Sequence, residues 1–253
     1  MTTFHMRSPW LIHHAVATLV MMALGVAVTF DAWVDIARIA IRDEEASHVL
    51  LVPFVFAWLV WVRRRRLRLC RIRHTWIGPV IIALGAIIAT VGYGNAIQSF
   101  WHGGSVLVVV GCALSVLGGD VLRKFLPAFA VLVFLVPVPA SVRLPVAMHL
   151  QTATATVTHW TFQLLGVNSE RFGNVLSING EQVKIIEACN GMRMVFTLVM
   201  VSYAYAFGTS LRPSVRALVV AVSPGLAIVC NVVRLVPTVW LYGYASHGLA
   251  EEF

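Results

Sequence analysis

The sequence predicts an all-α polytopic membrane protein of about seven to eight helices, with a small extracytoplasmic β-hairpin ahead of a cysteine-bearing helix. Three observations predict it. Hydrophobic residues fill 59% of the 253 positions and charged residues only 12%, a balance that a soluble domain does not show. Several apolar runs are long enough to cross a bilayer. Val175, Ser177, Val183 and Ile185 alternate on either side of Asn179-Gly180, the favoured pair for a two-residue type I′ turn. The whole chain, 1–253, reads as a single transmembrane domain.

The formal charge of +8 invites a nucleic-acid reading. Much of the surplus, however, sits in one block, Arg63 to Arg73, immediately after an apolar segment, where the positive-inside rule accounts for it. The expected surroundings are therefore the lipid bilayer, with no nucleic acid. Cys70, Cys112, Cys189 and Cys230 are scattered, without metal-ligand spacing or a disulfide framework. No metal or cofactor is expected.

Taken in order, a first span runs from about Trp10 to Phe30, with Arg7 before it and Asp43-Glu44-Glu45 in the loop after it. This sets the N-terminus in the cytoplasm, and the lack of a small-residue cleavage site makes the segment a retained helix. A second span, Ser47 to Val62, delivers the chain into the arginine block. A third runs from about Trp76 to Tyr93 and a fourth from Ser105 to Leu117, before a cytoplasmic turn at Arg123 and Lys124. A fifth, about Phe125 to Val136, stops outside at Pro137-Val138-Pro139, since paired prolines end a helix.

Leu144 to Leu165 is helical in period but carries His149, Gln151, His159, Gln163 and five threonines. Such a face is costly against lipid, so the segment is expected at the outer interface or lining a cavity. The hairpin follows and leads into Cys189. A descending span, about Gly191 to Phe207, reaches Arg212 and Arg216, and a last one climbs from about Ser214 to Arg234. From Arg216 to Arg234 is about 27 Å at helical rise, close to the hydrocarbon thickness. Arg234 and Cys189 are thus expected in the same outer leaflet.

Cys189 there joins a helix start to polar neighbours. The positive end of the helix and Arg193, one turn on, favour the thiolate. The competing reading makes Cys189 a small interfacial hydrophobe and Arg193 an anchor, and Arg234 likewise a membrane-end anchor. Yet a thiol, a guanidinium and an imidazole, His247, fall on one side by an orientation argument that did not use them. A cysteine nucleophile needs a base, for which His247 is the outer-face candidate, with His48 a competing base or a substrate-positioning group. Arg234 can face the developing oxyanion, and Asn231 adds a polar group to its helix face.

These residues also carry a resemblance. Ala188-Cys189-Asn190-Gly191-Met192-Arg193 resembles the Ala-Cys-Ser-Gly-apolar-Arg motif of the exosortase/archaeosortase group of polytopic membrane cysteine transpeptidases. Asn231-Val232-Val233-Arg234-Leu235 resembles its Asn-x-x-Arg motif, and Ser47-His48 echoes its Ser-His-Gly. The likeness runs over most of the chain in segment order. It implies Cys189 as nucleophile, Arg234 as cationic partner and His247 as third member, in the bacterial inner membrane with the site outside. It implies as substrates exported proteins with a tripartite C-terminal tail: a short PEP-type motif, a transmembrane helix and a basic cluster. The acyl group would pass to a surface acceptor, with a link to exopolysaccharide machinery. Asn190 stands where the family has Ser, and relatives generally carry a further apolar helix after the His, whereas this sequence stops at Glu251-Glu252-Phe253. A different class of function, a transporter or an exopolysaccharide assembly factor, would instead use the polar helix as a conducting path and leave Cys189 replaceable. No internal repeat of the transporter kind is visible.

Overall fold

The computed structural model describes residues 10–70, 75–178, 181–184 and 191–244. Arg7, Arg73, the Asn179-Gly180 turn, Ile185, Cys189, Asn190 and His247 lie outside the described residues. Among the described residues four helices are long and apolar enough to cross a membrane, or five when one sharply bent pair counts as a span. The chain is an all-α polytopic membrane protein with one small sheet. It divides into two compact units, Met1–Val138 and Pro139–Phe253.

In the first unit, α1 (Trp10–Val28) and α2 (Phe30–Arg42) meet at a bend of 83°. Thr29 makes the corner: its hydroxyl donates to the Gly25 carbonyl at 2.8 Å and accepts the Trp33 indole N–H at 3.0 Å. The sequence reading leaves the stretch after Phe30 as loop. It is a helix because Ala32, Ile36 and Ala40, spaced by one turn, bury a single apolar stripe. A 3₁₀ segment, Glu44–Leu51, follows, with the Asp43 carboxylate accepting the Glu45 N–H at 3.0 Å. It runs into α3 (Val52–Val62), and the second predicted span is Glu45–Val62. The arginine block opens as a second 3₁₀ segment, Arg64–Leu69.

Helices α4 (Ile77–Gly94) and α5 (Gln98–Leu117) pack backbone against backbone. Gly78, Gly85 and Gly92 recur every seven residues on α4 and are its buried positions. They meet Gly104, Gly111 and their neighbours on α5, the small-residue contact that lets membrane helices approach closely. A Cβ on Gly85 would lie 2.8 Å from the Gly104 carbonyl oxygen and 2.9 Å from the Val108 nitrogen. Gly85→Val is therefore expected to cost about 1–3 kcal/mol through overpacking, measured as a lowered unfolding temperature in detergent. A variant as stable as the wild type would show that the two helices separate without penalty. Helix α5 begins seven residues before the predicted Ser105: Gly104 packs against Gly85 and Ala89 of α4, and His102 is paired.

The fifth predicted span keeps its bounds, as a helical stretch Leu126–Leu135 with a further short helix before it, but it is shorter than a bilayer crossing. Residues Gly119–Lys124 form α6, Leu126–Val131 form α7 and Leu132–Leu135 a 3₁₀ turn. Pro127 suits the first turn of a new helix rather than the middle of a long one. The apolar stretch Leu126–Leu135 is thus only about 15 Å long, half of the hydrocarbon core.

In the second unit, α8 (Ala140–Leu164) precedes a three-stranded antiparallel sheet of β1 (Ser169–Phe172), β2 (Val175–Ile178) and β3 (Glu181–Lys184). The predicted hairpin is β2–β3, in register Ile178 to Glu181 across two residues. β1 is an addition, paired Ser169 to Ile178 and Phe172 to Val175. Helix α9 (Gly191–Gly208) matches its predicted span. The final helix, α10, extends unbroken over Pro213–Tyr244, ten residues past Arg234. It continues through Pro224 because the Ser223 hydroxyl donates, at 2.7 Å, to the Val220 carbonyl that a proline at 224 leaves without its N–H partner.

Candidate active site

Arg234 and Asn231 sit on α10, a turn apart. Asn231 is buried, and its Nδ2 donates to the Thr154 hydroxyl of α8 at 3.3 Å. Arg234 is half-buried. One residue further, Leu235 enters a core with Val239, Ala155, Phe162, Leu176 and Ile178. That core clamps β2 between α8 and the stretch of α10 just beyond Arg234.

The polar face of α8 is what the sheet covers. The His159 ring bonds Ser169 at 2.9 Å and Gln163 at 3.1 Å. The Thr152 hydroxyl donates to the Asn174 carbonyl oxygen at 3.1 Å, and the Asn174 amide donates to Gln151 at 3.1 Å. Arg171 donates to Thr156. Thr152 and Thr156 are met by the β-element and Thr154 by Asn231, whereas Thr161 donates back to the Val157 carbonyl and the buried Thr158 hydroxyl has no partner among the described residues. The expected interfacial helix is a helix whose polar side is built into the fold.

The described elements on either side of segment 185–190 both meet α10. β3, which leads into it, packs on α10, and so does α9, which leaves it. Helices α9 and α10 form a helical hairpin joined by residues 209–212. From Gly208 back to Gly191 is about 26 Å of helix, and the same rise from Pro213 reaches Cys230. Gly191 is thus level with Cys230 and Asn231, and Arg234 stands about one turn beyond. Arg193 is half-buried in the first turn of α9. That turn carries no carboxylate, so the positive end of the helix and the arginine add rather than cancel.

Asn231 and Arg234 lie on α10 and Arg193 on α9, two helices that pack together. Cys189, Asn190 and His247 lie outside the described residues. His48 belongs to the first unit, where it is buried and its Nδ1 contacts the Glu45 carbonyl at 3.0 Å. Among the described residues no group of three His, Cys, Asp or Glu converges to hold a metal. The free thiols described are Cys112, buried in α5; Cys230, exposed on α10; and Cys70, half-buried within the arginine block.

Two polar contacts escaped the sequence reading. Asp35 of α2 and His102 of α5 pair at 3.0 Å with His102 fully enclosed. An ionisable residue inside an apolar span is signal enough to have asked for its partner. Thr154 was visible only as one threonine among many. Its role appears when α8 and α10 meet.

A family model described as a transmembrane exosortase matches residues 33–253. No curated protein and no solved structure matches the chain.

Proposed function

The chain belongs to the transmembrane exosortase family, and from that membership we propose that it is a cysteine transpeptidase of the bacterial inner membrane. Its substrates are exported proteins with a tripartite C-terminal sorting tail, which it cleaves outside the cytoplasm and passes to a surface acceptor. The whole of 1–253 works as one domain, with the N-terminus in the cytoplasm. The observation that carries the reading is that both flanks of the cysteine segment, β3 and α9, pack on the helix bearing Asn231 and Arg234. Cys189 is two residues from the start of α9, a chain reach of at most about 7 Å.

The Cys189 thiolate, favoured by the helix end and Arg193, attacks the scissile carbonyl. Arg234 balances the oxyanion as it forms. Collapse expels the leaving amine, which takes a proton from His247, and leaves a thioester. An acceptor amine or hydroxyl gives its proton to His247 and displaces the thiolate. Asn231, bonded to Thr154, holds α10 in register with α8, and Asn190 has a supporting role beside the nucleophile. His48 serves tail positioning. A tail anchored by its own helix arrives by lateral diffusion at fixed height, so recognition reduces to two dimensions. A conducting role for α8 is disfavoured, since its polar side chains bond the sheet.

The test is to express a tail-bearing exported protein with and without this enzyme and to weigh its mature C-terminus. Cleavage at the tail motif with an added acceptor mass is expected. Cleavage with water alone would replace transfer by proteolysis, and an intact tail would overturn the reading.

A further inference from the structure

The first unit forms a partly open apolar cavity of about 390 Å³ between α1, α3, α5 and the α6–α7 stretch. Phe56, Val60, Val109, Ala113 and Phe125 line it, and the one hydroxyl in the wall, on Thr18, is taken by the His14 carbonyl at 2.7 Å. Nothing in that wall would hold water, and leaving so large an apolar space empty is costly. Along α5 it extends from Val106 to Leu117, about 16 Å, the depth of one leaflet's hydrocarbon.

One end is strongly basic. Leu67, in the wall, belongs to the Arg64–Leu69 segment, and Val121, also in the wall, belongs to α6 with Arg123 and Lys124. Lys124 donates to the Leu69 carbonyl, tying the two basic segments together at that mouth.

We propose that this cavity holds one acyl chain of an anionic glycerophospholipid, with its phosphate headgroup on the cluster of Arg64, Arg65, Arg66, Arg123 and Lys124. The apolar bore takes the chain, its length matches a leaflet, and the charge at its mouth complements the headgroup. A sorting-tail helix is a poorer occupant. A volume of about 390 Å³ spread over that length makes a bore narrower than the roughly 10–12 Å of a helix with its side chains. A tail's basic cluster would also meet arginines.

The experiment extracts the full chain from bilayers of equimolar phosphatidylglycerol and phosphatidylcholine and reads bound lipid by native mass spectrometry. One retained phosphatidylglycerol is expected, in roughly fivefold excess over phosphatidylcholine for each basic residue engaged. Arg65→Gln with Arg123→Gln should lower the headgroup preference roughly 25-fold, fivefold for each charge removed, while lipid is still retained. Ala113→Phe, which fills the bore, should lose the lipid, whereas Leu126→Phe, on the exposed surface, should keep it. No retained lipid, equal retention of the two lipids, or a folded Ala113→Phe variant that still carries lipid would overturn the proposal. So would a sorting tail that cross-links into the bore. Should Ala113→Phe not fold, the double glutamine variant decides alone.

Discussion

Cys189→Ala is expected to abolish processing of a co-expressed sorting-tail protein, a loss of about 10⁴-fold or more in rate, while the protein still inserts and folds. The size follows from the role: without the sulfur no thioester forms, and charge stabilisation by Arg234 has no covalent intermediate to act on. Cys189→Ser should fare little better, because a hydroxyl at that position is far from ionised near neutral pH, whereas a thiol is not. No other cysteine can take over. Cys112 is buried in α5 and Cys230 faces outward from α10. Burial pushes the Cys70 thiol up, with Asp120 adding to the shift and Lys124 opposing it, so Cys70 stays protonated and unreactive near neutral pH. The measurement is the mature C-terminal mass of the tail protein in cells making each variant. Normal processing by the alanine variant would remove the nucleophile assignment.

How far the site could be read in advance depended on what kind of signal each part leaves. Length and apolarity set the spans at Glu45–Val62 and Ile77–Gly94, because a lipid-facing helix must be apolar along its whole length. Asn179-Gly180 set the β2–β3 register, because turn chemistry is local. Helix α2 was missed because its apolar residues make a stripe rather than a run. The sequence reading carried the last helix through Pro224 but ended it at Arg234; how far a helix runs past its prolines depends on neighbours that satisfy the freed carbonyl, as Ser223 does at Pro224. The threonines of α8 were recognised as too polar for lipid, and what they face, a sheet and Asn231, is tertiary and leaves no mark on local periodicity. Arg234 itself was legible as a charge ending an apolar run. The helix that carries it turned out to continue past it, so the residue is set among packed elements rather than at a free end.

That setting makes Arg234→Lys the second large effect, and the more discriminating. An anchor at the membrane edge needs only a cation on a flexible stem, and lysine supplies one, so an anchoring role predicts near-normal activity. An arginine facing an oxyanion uses a planar fork of donors held in a low-dielectric pocket, which a single ammonium cannot reproduce. The expected result is a fall of roughly 10²–10³ in kcat for Arg234→Lys, and at least as much for Arg234→Ala. KM should stay within about twofold, because the charge acts on the transition state and not on the bound tail. Neither variant should unfold the second unit: Leu235 and Val239, which fasten α10 to β2 and α8, are untouched. Asn231→Leu is the useful contrast, since Asn231 is buried and bonded to Thr154. Its loss should lower the unfolding temperature together with activity, at a cost of about 1–3 kcal/mol for a buried hydroxyl left unpaired. Rates and melting curves measured side by side on the three variants separate the alternatives: a slow enzyme of normal stability at position 234 marks a group acting in the reaction, and a loss of stability there marks a structural one.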